Sequence, residues 1–233
     1  RTLSSTLIAG ILLFVGIAHG QGAEAPLLTD LPLGDETEES ARKPAISPPD
    51  PLELFNRAMY HVNDKLYFWL IKPAATGYKR AVPKDPRQGI RHAFRNIATP
   101  VRLVNCALQG DFQGTATEVS RFVINTTLGG LGFADPAKKH FGIRVREEDT
   151  GQTLGAYGVG SGPFLMLPVF GPLTIRDGVG KIGDWFLDPL NWLNLESLEE
   201  IGIKAEEIVN NASLRLGQYE ALKKSAVDPY VAI

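Results

Sequence analysis

The chain has 233 residues, enough for one domain. Hydrophobic residues make up 44% and charged residues 21%, which places it among folded rather than disordered chains. The formal net charge of -2 supplies no basic field to hold nucleic acid, and the lone cysteine, Cys106, has no partner for an internal disulfide, so packing has to hold the fold.

At the start, Arg1 precedes an uncharged apolar run from Leu7 to Ile17, and Ala18-His19-Gly20 places small residues at the cleavage-defining positions. This predicts a signal peptide over residues 1–20, cut before Gln21. The run is too short to cross a bilayer as a helix, which takes about 20 apolar residues, so an uncleaved anchor is the lesser alternative. No cysteine directly follows the run, so lipid attachment there has no residue to carry it. Residues 21–49 hold Pro26, Pro32, Pro44, Pro48 and Pro49 with the acidic group Asp35, Glu36, Glu38 and Glu39, which reads as a flexible linker.

A helical domain is predicted over 50–233. Asp50 suits an N-cap, Pro51 a first helical position and Glu53 a capping-box partner. Phe55, Met59, Val62, Leu66 and Leu70 follow at helical spacing and make one face of it, and Pro73 is expected to stop the helix. Asp85-Pro86 starts a second helix with Ile90, Ala93, Phe94 and Ile97 on one side, and Pro100 a third, closed by Gly110. Residues 111–127 form a fourth, with Phe112, Ala116, Val119 and Phe122 in register. Asp135-Pro136 starts a short helix, 174–187 form another, 197–225 the longest, and Asp228-Pro229 a last one. Strand-like alternation is nearly absent, so the expected class is all-α.

Two stretches break this pattern. Residues 122–134 carry no charge and contain Gly129, Gly130 and Gly132. Residues 151–175 also carry no charge, with Gly155, Gly158, Gly160, Gly162, Pro163, Pro168, Gly171 and Pro172 around Phe164-Leu165-Met166-Leu167. The glycines and prolines forbid a plain spanning helix. Backbone this irregular and apolar is read as packed inside the protein, lining a cavity, or lying at a membrane interface.

The known chemistries leave little trace. His61, His92 and His140 form no metal-ligand spacing. Ser161 lacks the flanking glycines of a nucleophile elbow, because Val159 and Pro163 stand there, and the same run fails the dinucleotide fingerprint. Glu147, Glu148 and Asp149 read as a solvated turn whose Asp149 caps the next helix. Neither a cofactor nor a metal is expected. Arg176-Asp177, directly after the apolar stretch, caps the next helix, pairs locally, or meets a lipid head group.

These motifs, taken in order, resemble the MlaA/VacJ family. The residues that carry the resemblance are Asp50-Pro51-Leu52-Glu53-Leu54-Phe55-Asn56-Arg57, Lys72-Pro73 with Gly77-Tyr78, and Asn105 with Leu108-Gln109-Gly110. Arg121-Phe122, Asn125 through Gly132, Asp135, Gly151 through Gly155, Tyr157 through Gly160, Gly162-Pro163, Leu167-Pro168, Gly171-Pro172, Arg176-Asp177 and Asp228-Pro229-Tyr230 complete it. The resemblance covers residues 50–233 and implies a C-terminal motif that continues further.

It implies a ring-like domain of amphipathic helices at the periplasmic face of the outer membrane. That domain would keep the membrane's leaflets asymmetric by passing misplaced phospholipids through an amphipathic channel to a periplasmic lipid-carrier protein. A porin trimer is the implied outer-membrane partner, and no catalytic residue is carried over. The lipid path is placed by resemblance at Phe122, Leu128, Leu131, Phe133, Tyr157, Phe164, Leu165, Leu167 and Phe170, with Arg176 and Asp177 as head-group residues. Phe55, Asn56, Asn125, Gly130, Gly132, Gly158, Gly160, Gly162, Pro163 and Pro168 are its motif and backbone positions. The competing readings are a soluble periplasmic adaptor whose apolar segments are core, and a lipid hydrolase acting through Ser161 or the carboxylates at 147–149.

Overall fold

The computed structural model describes residues 50–193 and 196–233, so the predicted signal peptide and linker lie outside the described residues. Helix α1 (Glu53–Leu66) begins later than the capping signal suggests. Asp50 accepts from the Leu52 N–H at 3.0 Å and closes a turn ahead of the helix, and Leu52 takes the cap position. The Asp50 carboxylate is drawn away to Asn56 and Tyr230.

Pro73 does not end the helical rod. A π-helical turn (Tyr67–Ile71) leads from α1 into α2 (Lys72–Ala81) without leaving helical backbone. The Lys72 N–H reaches back five residues to the Tyr67 carbonyl. Pro73 falls where this wider ladder narrows again, and there its missing N–H is least costly.

Helices α3 (Lys84–Ile97), α4 (Thr99–Leu108) and α5 (Phe112–Thr127) follow within a residue of their sequence signals. Gly110, at φ 75°, makes the left-handed turn between α4 and α5, and Asp111 caps α5 by accepting from the Gly114 N–H at 2.8 Å. Asp135 caps α6 (Pro136–Phe141) and Asp149 caps α7 (Thr150–Ala156).

The stretch after α7 departs from the all-helical expectation. Phe164–Leu167 (β1) and Gly171–Thr174 (β2) pair antiparallel, Phe164 opposite Thr174 and Leu167 opposite Gly171. Pro163, Pro168 and Pro172 exclude helix here, and the bulky β1 residues fit a pleated strand. Thr174 and Asp177 form a capping box on α8 (Ile175–Leu187). The predicted helix 197–225 is two, α9 (Ser197–Leu214) and α10 (Gln218–Ser225), divided at Gly217 (φ 95°). The buried Arg87 donates to the Ser213 carbonyl at 2.9 Å and so holds the end of α9. Asp228-Pro229 makes a turn rather than a helix, Asp228 accepting from the Tyr230 N–H at 2.9 Å.

Helix α4 packs on α5, α7 on α8, and both α2 and α3 on α9. The α7–α8 crossing is close, because a Cβ at Gly180 would stand 2.3 Å from the Gly151 backbone nitrogen. At Gly178 an added Cβ meets only the end of the Leu173 side chain, at 3.2 Å. Gly180→Ala should therefore cost about 2–3 kcal/mol by forcing two helices apart, while Gly178→Ala should stay within about 1 kcal/mol. Denaturant unfolding of the two variants checks the contrast.

Candidate functional site

Helices α1 and α5 bury polar residues and expose apolar ones. On α5 the buried positions are Gly114, Glu118, Arg121 and Asn125, one helical stripe, with Glu118 0% exposed. Phe112, Val119, Phe122 and Val123 of the same helix are exposed, Phe112 by 80%. Helix α1 repeats the pattern. Asn56 and Tyr60 are its buried residues, whereas Phe55, Val62 and, in the turn after it, Trp69 and Leu70 are exposed. The apolar stripes of these two helices thus point largely outward, whereas Ile90, Ala93, Phe94 and Ile97 of α3 are half-buried. Patches of this extent mark a surface that meets something other than water.

The inward polar groups meet one another in a small cleft lined by His92, Arg95, Asn96, Thr99, Arg102, Arg121, Asn125, Asp135 and Val145. Arg102 donates to Glu118 at 2.8 Å and to the Arg95 carbonyl at 2.8 Å, and the other Glu118 oxygen accepts from the Arg146 N–H at 2.8 Å. Arg121 pairs with Asp135 at 2.8 Å and with the Ile143 carbonyl. Asn125 donates to Asp135 at 3.1 Å and accepts from the Ala137 N–H at 3.1 Å. Arg95 pairs with Glu147. Burial alone would raise the Asp135 carboxyl, but the Arg121 hydrogen bond and the Lys138 N–H outweigh it and hold it below its ordinary value. Burial holds His92 below the ordinary imidazole value.

The β-hairpin is seated by two asparagines of α1, seven residues apart. Asn56 accepts from the Met166 N–H at 2.8 Å and donates to the Phe164 carbonyl at 3.1 Å. Asn63 accepts from the Val169 N–H at 2.6 Å and donates to the Leu167 carbonyl at 2.9 Å. Their side-chain amides thus stand where a third strand would. Met166 is buried with Tyr60 and Tyr230 in a small apolar cluster, and Met59 and Phe164 pack against it. Tyr230 also donates to Asp50, and the Arg57 guanidinium lies 4.5 Å from its ring centroid while pairing with Asp228 at 2.8 Å.

The residues expected to line a lipid path fall into two groups. Phe122, Leu128, Leu131, Phe133 and Tyr157 are exposed, and Phe164, Leu165, Leu167 and Phe170 are half-buried in and around the hairpin. Gly130, Leu131 and Gly132 all have positive φ, at 61°, 60° and 89°. Leu131 is a leucine held in a left-handed conformation and still 76% exposed. Gly132 lies against Asn96, and the Phe133 ring covers Gly89 so closely that a Cβ there would come within 2.2 Å of it. The Gly-rich turn is therefore pressed onto α3, with Leu128 and Leu131 facing out.

In the second stretch Gly158 and Gly162 take positive φ, while Gly160, Pro163 and Pro168 lie exposed along the loop and hairpin. Asp177 is committed to the capping box, its carboxylate accepting from the Thr174 N–H at 3.3 Å. Arg176 reaches back over Gly155 toward the Val159 carbonyl at 3.4 Å. Glu147 pairs with Arg95, Glu148 accepts from Gln109 at 2.9 Å, and Asp149 caps α7, so each of the three adjacent carboxylates is engaged.

Sequence reasoning did not single out Asn63, Arg102 or Glu118. The available signal was a polar stripe at helical spacing opposite each apolar one, as in Gly114, Glu118, Arg121 and Asn125.

Against known proteins, the family described as MlaA lipoprotein matches residues 48–233. The intermembrane phospholipid transport system lipoprotein MlaA of Escherichia coli (strain K12) is 35% identical over 193 residues, covering 79% of this chain and 73% of that protein. Its namesake in Haemophilus influenzae is 32% identical over 187 residues, covering 78% and 73%. A solved structure, from work on the structural basis for maintenance of bacterial outer membrane lipid asymmetry, superposes with a TM-score of 0.68 at 33% identity. It covers 79% of this chain and 92% of that one.

Removing one member of the buried Arg102–Glu118 pair, as in Arg102→Leu or Glu118→Leu, should cost about 3–5 kcal/mol, and the double substitution should cost less than either single one. A double-mutant cycle by denaturant unfolding measures this. Because the folded Asp135 carboxyl lies below its unfolded value, its contribution to stability is complete above about pH 4 and is lost as the pH falls through the folded value. Asp135→Asn should lower stability at neutral pH and flatten this acid limb in pH-dependent thermal melts.

Proposed function

The chain belongs to the MlaA lipoprotein family, and from that premise we propose that it transports phospholipid to maintain the lipid asymmetry of an outer membrane. The observation that carries this reading is the inverted packing of the helices. Glu118, Asn56, Asn105 and Asn210 are fully buried, while Phe112, Trp69, Leu128 and Leu131 lie outside. In water such a surface is unfavourable, whereas against acyl chains it is the favoured arrangement. Among the described residues no helix is long and apolar enough to cross a membrane, so the domain sits in one leaflet through the sides of its helices and its Gly-rich turn.

In this role the outward residues Phe122, Leu128, Leu131 and Phe133 meet acyl chains. The hairpin residues Phe164, Leu165, Leu167 and Phe170, with Tyr157, form the apolar wall along which a lipid passes from the outer leaflet to a soluble periplasmic carrier. A porin trimer holds the domain in the outer membrane from the periplasmic side. No bond chemistry is involved, which fits carboxylates at 147–149 that are all taken up by structural partners.

Expression of the chain with its own N-terminus in a diderm bacterium, followed by separation of outer membrane from periplasm, tests the reading. Outer-membrane residence with co-purified phospholipid and porin is expected. A soluble periplasmic protein carrying neither would overturn it in favour of an adaptor.

Leu131 gives a sharper test. Asparagine tolerates the left-handed conformation better than leucine, so Leu131→Asn should hold or slightly raise the unfolding midpoint. The same change removes a side chain whose burial among acyl chains contributes about 1.5–3 kcal/mol, so vesicle affinity in a flotation assay should fall roughly tenfold or more.

A further inference from the structure

The guanidinium of Arg176 is held more loosely than several others in the chain. Arg57, Arg87, Arg102 and Arg121 each have a carboxylate or carbonyl oxygen within 2.9 Å. The best contacts of Arg176 are longer. Its Nη1 lies 3.4 Å from the Val159 carbonyl and its Nη2 3.5 Å from the Asp177 carboxylate, which already serves the helix cap. The Arg176 Nε is buried without any hydrogen-bond partner. A guanidinium carries five donors in a fixed fork, and leaving its inner edge unpaired is unfavourable unless something else completes it.

The surroundings indicate what that is. Gly155 leaves a hollow beneath the head group, where a Cβ would stand 2.8 Å from Nη1. The side chain is 24% exposed. Tyr157, Val159 and Ile175 form an exposed apolar rim, and Tyr157 is pinned by donating to the Leu108 carbonyl at 2.6 Å. The first amides of α8 are already taken, the Arg176 N–H by the Ser161 carbonyl and the Asp177 N–H by Thr174. The unsatisfied element is therefore the side chain itself. A planar fork with a loose carboxylate and an apolar rim suits a phosphate oxyanion that carries hydrocarbon.

We propose that Arg176, seated over Gly155, is the phosphate-recognition group of this protein and takes the phosphodiester of a phospholipid while the apolar rim meets the adjoining chains. This rests on the phospholipid reading above and specifies the chemistry of its head-group step. On binding, the phosphate oxygens replace the Val159 carbonyl and the Asp177 carboxylate as acceptors, and the guanidinium turns to bring its Nε edge into use.

The test uses the purified full chain in detergent, titrated with dihexanoyl phosphatidylglycerol, with dihexanoylglycerol (the same chains without phosphate) and with inorganic phosphate. Binding is followed by calorimetry and by the nitrogen NMR signal of the Arg176 Nε–H. The wild type should prefer the phospholipid over the diacylglycerol by about tenfold or more, with a shift of that signal. Arg176→Gln should abolish the preference and leave the diacylglycerol affinity intact. Gly155→Ala keeps every charge and improves the helix, yet crowds the guanidinium, so it should also reduce the preference. It carries the test if Arg176→Gln fails to fold. A preference that survives both substitutions overturns the assignment while the transport reading stands. A wild type that binds neither lipid overturns the transport reading itself. Inorganic phosphate that binds as tightly as the phospholipid, in an Arg176-dependent way, overturns the lipid assignment in favour of a free-phosphate site.

Discussion

A polar side chain taken out of water has to be met by another polar group, and most of this architecture follows from where the chain spends its Asn, Arg and Glu residues. Glu118 is fully buried, and both of its oxygens are claimed, by Arg102 and by the Arg146 N–H. Those contacts fix α5 against α4 and tie down the segment that leads to α7. Asn105 joins α4 to α7 by accepting from Thr153 at 2.7 Å, and Asn210 joins α9 to α3 by donating to the Arg87 carbonyl at 2.9 Å. Hydrogen bonds at such helix contacts are directional, so they set the relative rotation of the helices where a greasy interface would let them slip. Many of the large apolar residues, Phe112, Trp69, Leu128 and Leu131 among them, are left on the outside.

Much of the helical layout was legible because capping chemistry is local. Asp111, Asp135, Asp149 and Thr174 each cap the helix that the sequence placed after them. What misled was anything decided at a distance. Asp50 carries a strong capping signal, but its carboxylate is claimed by Tyr230, 180 positions away. Pro73 reads as a stop, and a wide turn just before it absorbs the lost donor. The hairpin within 151–175 escaped notice because its pairing partner is half made of side chains, Asn56 and Asn63, from a helix a hundred residues earlier.

The candidate site was legible as composition and illegible as geometry. The two uncharged Gly-rich stretches mark the loop against α3 and the hairpin segment, which is why the apolar residues named in them fall on exposed or half-buried ground. Periodicity reports which residues share a face but not which way the face points. The stripe of Phe112, Val119 and Phe122 has helical spacing, and only the structure shows that it points outward. Asp177 shows a related limit, since the capping box claims a carboxylate that a head group was expected to meet.

The clasp between Asp50 and Tyr230 has a consequence for the order of assembly. The apolar cluster under the hairpin takes Tyr60 from the first helix, Met166 from the hairpin and Tyr230 from the last turn. Two of these can meet as soon as the hairpin is made, but the third comes from beyond α10. Closing a loop of that length is entropically costly and is offset only when all three side chains and the Arg57–Asp228 pair settle together. Synthesis runs N-terminus first, so the hairpin waits on an unfinished seat until the Tyr230 segment is made. The Tyr230 turn is thus what locks the Asp50 segment in place.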